Sequence, residues 1–437
     1  MAQSNFTRRM LAASLLTLPF ALVAADAPGM FKIPGTSTSM KIYGFAELNG
    51  TYDMGTRSAA IDDFDWATFL PTQPFDQGKP GYAGSKGNQM YLTLRTSRIG
   101  FMTQTPSSLG DITAVVEADF NSPSPSNFSS PATTNGNTFR LRKAYGQIGG
   151  FLFGQTWSNF FDGDSVPDGV DFNPVASANA TRQGMLAYTW HPSKEASFTL
   201  AMEAPFNRQF QGQSGRVVIQ DSGENYKADS FASTPDIVAN FTYGDKWGHV
   251  SLRGVAMEYK NDLHSANGFG AAVSGHFNIG SDSLVWSVQG GNGIGRYMLG
   301  SLLQSALDDG KKINLWKAYG YHLGYTHVWN ADWRSNIYVS RVSFSDPGSG
   351  TPGLTLNKWL QTAPTNYWGA TDGQPNKTLD NAAVNLFYNI SKTVYCGFEY
   401  NWGIRKTMDT FTPAGVLQGT NEGTQKRINF VFRASFF

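Results

Sequence analysis

The chain has a single cysteine, few histidines and, past its first residues, no long apolar run. Cys396 is the one thiol among 437 residues, so no intrachain disulfide can form. It sits in the strand-like run Thr393–Phe398 and is read as a small wall residue rather than a reactive thiol. The six histidines (His191, His249, His264, His276, His322 and His327) fall in different segments, and none has metal-cage spacing. No stretch of about 18 apolar residues follows the N-terminal region, and mean hydropathy is -0.30, which excludes a bundle of membrane-spanning helices. A barrel escapes that exclusion, because only alternate side chains of its strands meet lipid. Charge of one sign is also lacking. The net charge is +1, with no basic tract, so nucleic-acid binding has no electrostatic footprint.

Enzyme signatures are absent too. No G-x-S-x-G, H-E-x-x-H or phosphate-binding glycine loop occurs. His322 and His327 share a segment with opposite strand parity and do not converge. A barrel hydrolase, whose Ser/His or Asp/His group can be assembled from distant segments, stays as an alternative without a motif of its own. No cofactor is implied.

The N-terminus carries an address. Arg8 and Arg9 precede an apolar run from Met10 to Val23, and small residues offer cleavage after Ala25 or Ala27. That order predicts a secretory signal over residues 1–27, followed by one domain over 28–437. The arginine pair also fits a twin-arginine signal, but that route carries folded cargo, and a barrel must cross unfolded. Removing the signal takes away Arg8, Arg9 and Asp26, leaving 32 basic and 32 acidic residues of the 34 and 33.

Glycine (47 residues) and aromatic side chains (14%) are plentiful, as many turns and two interfacial belts require. Alternating segments recur at 41–52, 91–104, 111–119, 138–149, 150–156, 184–191, 197–203 and 236–243. They continue at 247–259, 268–278, 283–290, 317–329, 333–343, 381–389, 393–403 and 427–437, sixteen in all. Very short connections, such as Gly149-Gly150 and Ser391-Lys392, alternate with long polar ones at 53–90, 120–138, 204–235, 344–380 and 404–426. Short periplasmic turns and long extracellular loops are the pattern of an all-β, antiparallel, transmembrane barrel. The spacing of Tyr297–Leu307 predicts a short helix within a loop. The last segment places Ile428, Phe430, Phe432, Ala434 and Phe436 on one face, and Asn429, Val431, Arg433 and Ser435 on the other. Phe437 is one residue beyond that alternation, at the end where the barrel-assembly machinery reads a terminal aromatic.

Several stretches together resemble the DcaP-like porins of Gram-negative outer membranes. They are Phe31–Gly44, Ser97–Phe101, Arg140–Gln147, Gly154–Ser158, Thr181–Gln183, Gly293–Tyr297 and Trp333–Asn336, in order through most of the mature chain. The resemblance implies a 16-stranded homotrimer in outer-membrane lipid, with a constriction loop folded into each channel. It also implies a preference for small anionic solutes, dicarboxylates among them. The first stretch begins almost directly after the signal, so the N-terminal coiled coil of some relatives is not expected. Lys143 stands where many relatives carry His.

Charge in the lumen decides what such a channel passes. Arg140 and Arg142 alternate with Phe139 and Leu141, so both face the lumen if Leu141 faces lipid. Two guanidiniums about 7 Å apart can grip a dicarboxylate, or pair with acidic loop residues and fix the loop. Arg95, Arg98, Arg182, Arg253, Arg341 and Arg433 are further lining candidates, each with a headgroup-level rim as its alternative. Arg95 and Arg98 have opposite parity and need a bulge near Thr96 or Ser97 to point the same way. Residues 157–180 are read as the inward loop. Its Asp162, Asp164, Asp168 and Asp171 are expected to stand opposite the arginines and set up a transverse field. A calcium site at Asp162 and Asp164 lacks the glycine and glutamate of an EF-hand. Trp157, Trp190, Trp247, Trp286, Trp316, Trp329, Trp333 and Trp402 would serve a sugar channel as an aromatic slide, or a membrane channel as its girdle.

Overall fold

A computed structural model describes residues 29–55, 88–122, 138–205, 219–220, 230–299, 304–308, 312–345, 376–408, 410–411, 417–419 and 422–436. The residues expected to form the signal, most of the long connections and Phe437 lie outside the described residues.

Sixteen strands form one closed antiparallel barrel. The first eight are β1 (Ser39–Met54), β2 (in two pieces, Gln89–Thr93 and Arg98–Thr105), β3 (Ile112–Ser122), β4 (Thr138–Ile148), β5 (Phe151–Trp157), β6 (Arg182–Trp190), β7 (Ala196–Glu203) and β8 (Asp236–Asp245). The rest are β9 (Gly248–Asn261), β10 (Ser265–Ile279), β11 (Asp282–Asn292), β12 (Lys317–Val328), β13 (Trp333–Ser345), β14 (Asn376–Asn389), β15 (Val394–Thr407) and β16 (Glu422–Phe436). Each pairs with the next, and β16 returns to β1 with Phe436 opposite Gly44 and Phe430 opposite Gly50. The closing rings lie on bare backbone. A Cβ on Gly50 would run into the Phe430 ring, and one on Gly44 into the Phe436 ring and the Arg98 carbonyl.

Alternation fixes which residues meet lipid. On β12, Tyr319, Tyr321, Leu323 and Tyr325 are exposed on the outside, while Ala318, Gly320 and His322 are buried inside. Exposed Trp190, Trp247, Trp329 and Trp333 sit at the short-turn end, where an interfacial girdle belongs. Trp316 is buried among core residues, and the Trp157 ring lies 5.8 Å from the Arg142 guanidinium. Among the described residues these tryptophans form no continuous slide. Cys396 lies on the outer face of β15, opposite Phe432 on one side and Tyr388 on the other.

Strand starts and ends differ from the sequence expectation mainly on the long-loop side. β14 begins at Asn376 and β16 at Glu422, five residues earlier than expected. The outward residues there (Asp380 on β14; Glu422, Thr424 and Lys426 on β16) are polar, so alternation of apolar with polar fades before the strand does. One connection on that side, residues 262–264, is short. Of the helix expected over Tyr297–Leu307, residues 300–303 lie outside the described residues; on either side, Ile294–Tyr297 is a single 3-10 turn and Ala306–Asp308 is extended rather than helical. Gly293 and Gly295 favour a tight turn over a continuing helix.

The lumen is not evenly open. Residues 158–181 leave β5 and fold inward, and the turn at Ile294–Tyr297 packs beside them. Phe160, Tyr297, Met298 and Trp316 join inward residues of β8–β10 and β12–β14, including Val238, Val255, Met257, Ala272, Val342 and Leu379, in one apolar core inside the barrel. Small inward residues make room for it. A Cβ on Gly320 would press on Ser177, and one on Gly324 on Pro167. The other sector is mostly polar inside: Glu47, Asn49, Thr51 and Asp53 on β1, Glu117 and Asp119 on β3, and Arg142 and Lys143 on β4 are all buried.

Candidate functional site

The site is built on the inward face of β2–β6. Phe139 and Leu141 are 62% and 50% exposed on the outer surface, so Arg140 and Arg142 point inward. A register shift between β3 and β4 then brings Lys143 inward as well. Arg142 bonds Glu117 at 2.8 Å and Asp119 at 2.7 Å, and it is 2% exposed. Arg140 forks onto Asp119 at 2.9 and 2.7 Å. Lys143 and Arg98 approach Glu117 at 3.7 Å each. The partners are therefore carboxylates of the wall strand β3, not of the loop.

β2 breaks where the sequence needed a bulge. Leu94–Ser97 turns, with Ser97 N–H donating to the Leu94 carbonyl at 3.0 Å. Arg95 Nε donates to Thr93 Oγ1 at 3.2 Å and lies within electrostatic reach of Arg140. Arg182, at the start of β6, stacks on the Trp157 ring at 4.9 Å. It feels the charges of Arg142, Arg140 and Arg98, and its Nη1 has no hydrogen-bond partner. Among the described residues five cations (Arg98, Arg140, Arg142, Lys143 and Arg182) thus share two carboxylates, Glu117 and Asp119. Arg433 lies beside them over the Phe45 ring at 4.0 Å and is neutralised by Glu47.

Two sequence candidates belong elsewhere. Arg253 is buried on β9 and holds the loop, donating to the Phe160 carbonyl at 2.8 Å and to Ser274 at 2.6 Å. Arg341 faces outward: it shares a strand face with Ile337 and Val339, pairs with Asp380 on β14 and is 47% exposed. Parity counted from its exposed neighbours would have placed it. Glu117 and Asp119 were missed, although their i, i+2 spacing on a strand was there to be read.

The loop aspartates do not form a ladder opposite the arginines. Asp162 accepts His249 Nε2 at 2.9 Å and the Ser274 hydroxyl. Despite its burial, the hydrogen bond and charge of His249 hold its carboxyl below the usual range. Burial, then the charge of Asp162, push Asp164 up. Asp168 pairs with Arg334 at 2.7 Å. Asp171 is fully enclosed. Burial drives its carboxyl well above the usual range against the Asn173 N–H, and Asn429 donates to it at 3.3 Å. Carboxylates taken out of water go to the donors nearest them, which here belong to the wall on the far side of the loop. The loop presents Phe172 to the arginines instead, with its ring 5.5 Å from the Arg142 guanidinium. Among the described residues no group of three His, Cys, Asp or Glu could hold a metal. Asp162 is engaged by His249 and Ser274 rather than poised for calcium.

A closed barrel with an apolar outer band and an inward loop defines an outer-membrane channel. The chain belongs to the DcaP outer membrane protein family, whose sequence profile matches residues 30–436. It is 25% identical over 381 residues to the porin Omp2b of Brucella suis, covering 82% of this chain and 86% of that one. The outer membrane channel DcaP of Acinetobacter baumannii has the same fold, with a TM-score of 0.68 at 21% identity over 93% of this chain and 99% of that one. Salmonella typhi OmpF matches more loosely, with a TM-score of 0.52 at 11% identity over 93% of this chain and 100% of that one. Family and fold are those of porins, not of enzymes.

Proposed function

We propose that this porin favours small anions, dicarboxylates in particular, and passes them by downhill diffusion along the arginine-bearing wall. The observation that carries the reading is the imbalance on β2–β6: among the described residues five cations share two carboxylates, and the loop facing them offers an aromatic ring rather than acid. Fixed positive charge in a confined lumen concentrates anions and repels cations. Arg140 and Arg142 keep their place through Asp119 and Glu117, while Arg182, stacked on Trp157, adds a further positive charge beside them. The reading extends to the chain's life before transport. Residues 1–27 act as a signal, the barrel-assembly machinery inserts the mature chain, and three copies associate in the membrane.

The test is the reversal potential of purified protein in a planar bilayer under a salt gradient. The expected result is an anion-favouring potential with conductance steps in threes, and weaker selectivity in Arg140→Ala with Arg142→Ala. A cation-favouring or zero potential would overturn the anion reading, and block by oligosaccharide with weak selectivity would turn it toward sugars.

A further inference from the structure

Three sets of contacts hold the constriction loop, and two come from the barrel wall. Its outgoing leg is tied to β9 and β10 through Asp162, His249, Ser274 and the Phe160 carbonyl. Its middle is tied to β12–β16. His322 meets the Ser165 carbonyl at 3.0 Å, Asn381 the Pro174 carbonyl at 2.8 Å, and Glu399 accepts the Val170 N–H at 2.9 Å. Ser177 is tied to the wall as well, to His322 at 2.8 Å and to Ser340 at 3.2 Å, whereas the end of the returning leg, residues 178–181, is held differently. Leu299 N–H donates to the Ala178 carbonyl at 2.9 Å, and Thr181 Oγ1 donates to the Arg296 carbonyl at 2.9 Å. Both partners lie on the connection between β11 and β12, not on the wall.

That connection is itself fixed. The Tyr297 hydroxyl donates to Asp236 Oδ2 at 2.6 Å, and its ring meets Phe160 edge-on at 5.4 Å. Ile294 and Tyr297 are fully buried. Gly293 N–H donates to the Trp316 carbonyl at 2.8 Å, and the Tyr259 hydroxyl donates to the Gly293 carbonyl. The Arg296 side chain donates to Gln183, and Gln183 donates to Tyr297 Oη at 3.2 Å.

We infer that the turn over residues 293–299, between β11 and β12, is a second element of the constriction, a clamp that sets how far the loop stands from the arginine wall. The clamped leg ends at Thr181, and the next residue is Arg182, whose guanidinium lies on Trp157 beside Arg142. Displacing the clamp displaces that edge of the passage. Thr181, Arg296 and Tyr297 are positioning residues: they need not touch solute. The inference does not rest on the anion reading, because it concerns width and not charge.

Width is read by the largest neutral polymer that enters the channel, and charge by the reversal potential, so the two readings fail separately. Thr181→Val with Tyr297→Phe deletes three clamp hydrogen bonds, one at Thr181 and two at the Tyr297 hydroxyl, without altering charge or bulk. The expected result is a larger polymer cut-off and loss of the quiet open level in single-channel records. A cut-off and noise equal to the parent in a folded double variant would overturn the clamp. A second experiment needs no weakened variant. With Cys396→Ser as background, Ala178→Cys and Leu299→Cys place two thiols on backbones that already share a hydrogen bond. Mild oxidation should cross-link them, keep the parental cut-off, and restore it when combined with the two clamp substitutions. A folded barrel that does not cross-link, or whose conductance changes on cross-linking, would show that the conducting state lacks the contact.

Discussion

Strands β2–β6 and strands β8–β14 follow the same alternation, but their inward residues differ in kind. On β3 and β4 the inward positions are Glu117, Asp119, Arg140 and Arg142; on β8, β9 and β13 they include Val238, Val255, Met257 and Val342. The outer faces do not register the difference: Leu141 and Leu252 are equally ordinary lipid-facing residues. One sector is thus built as a wall for water and solute, the other as the interior of a packed protein whose missing half is supplied by two loops. The comparison shows how a wide barrel is narrowed to one side. The solid sector gives the constriction loop something rigid to rest on, and the polar sector is left free to carry charge.

The largest effect should come from breaking the solid sector. Trp316→Ala removes a fully buried ring from the internal core and should lower unfolding stability by about 3–5 kcal/mol, as large aromatic truncations do. Urea titration of the folded barrel, followed by gel mobility, would measure it. The polar sector should fail differently. Glu117→Gln leaves Arg142 without one of its two buried carboxylates, a loss of about 3–5 kcal/mol by analogy with broken buried pairs. Its signature is that anion preference in the reversal potential should rise while stability falls. Arg182→Ala sharpens the contrast. Its guanidinium stacks on Trp157 and its Nη1 is unpaired, so selectivity should drop with little change in the urea midpoint.

A pH effect belongs to the junction of the two sectors. Burial raises the Asp171 carboxyl in the folded barrel, so the native state holds its proton to higher pH than the unfolded chain does. Stability from this group is therefore greatest below about pH 4, the ordinary Asp value, and declines as pH climbs toward the raised folded value. Asp171→Asn should flatten that decline in thermal unfolding scans, and a slope as steep as the parent's would refute the assignment. The smallest effect is expected outside. The Arg341–Asp380 pair is half exposed, and Arg341→Ala should cost no more than about 1 kcal/mol and leave the reversal potential unchanged.

Much of this was legible from side-chain parity. Phe139, Arg140, Leu141 and Arg142 state their own orientation, and the run from Ile428 to Phe436 states how the barrel closes. What escaped was whatever depends on distant segments meeting. The acids of 162–171 face away from the arginines because Ser274, His249, Arg334 and Asn429 lie within reach behind them, and no spacing along the chain encodes that. The second loop escaped for a related reason. The spacing from Tyr297 onward resembles a helix, but Tyr297 closes a turn that fills the cavity beside Phe160. Arg341 is a simpler case: an arginine on the lipid side of a strand looks like a lumen residue until its neighbours are counted.

The seam between the first and last strands has a further consequence for manufacture. Two bare positions on β1, Gly44 and Gly50, are six residues apart, and so are the rings that cover them, Phe436 and Phe430. A slip of two residues would keep every side chain on its proper face, so polarity alone would not reject it. It would, however, drive Phe430 onto Leu48 or Tyr52. The strand made first and the strand made last therefore carry matching teeth, and mis-seated closure is refused by shape after the whole chain has been delivered.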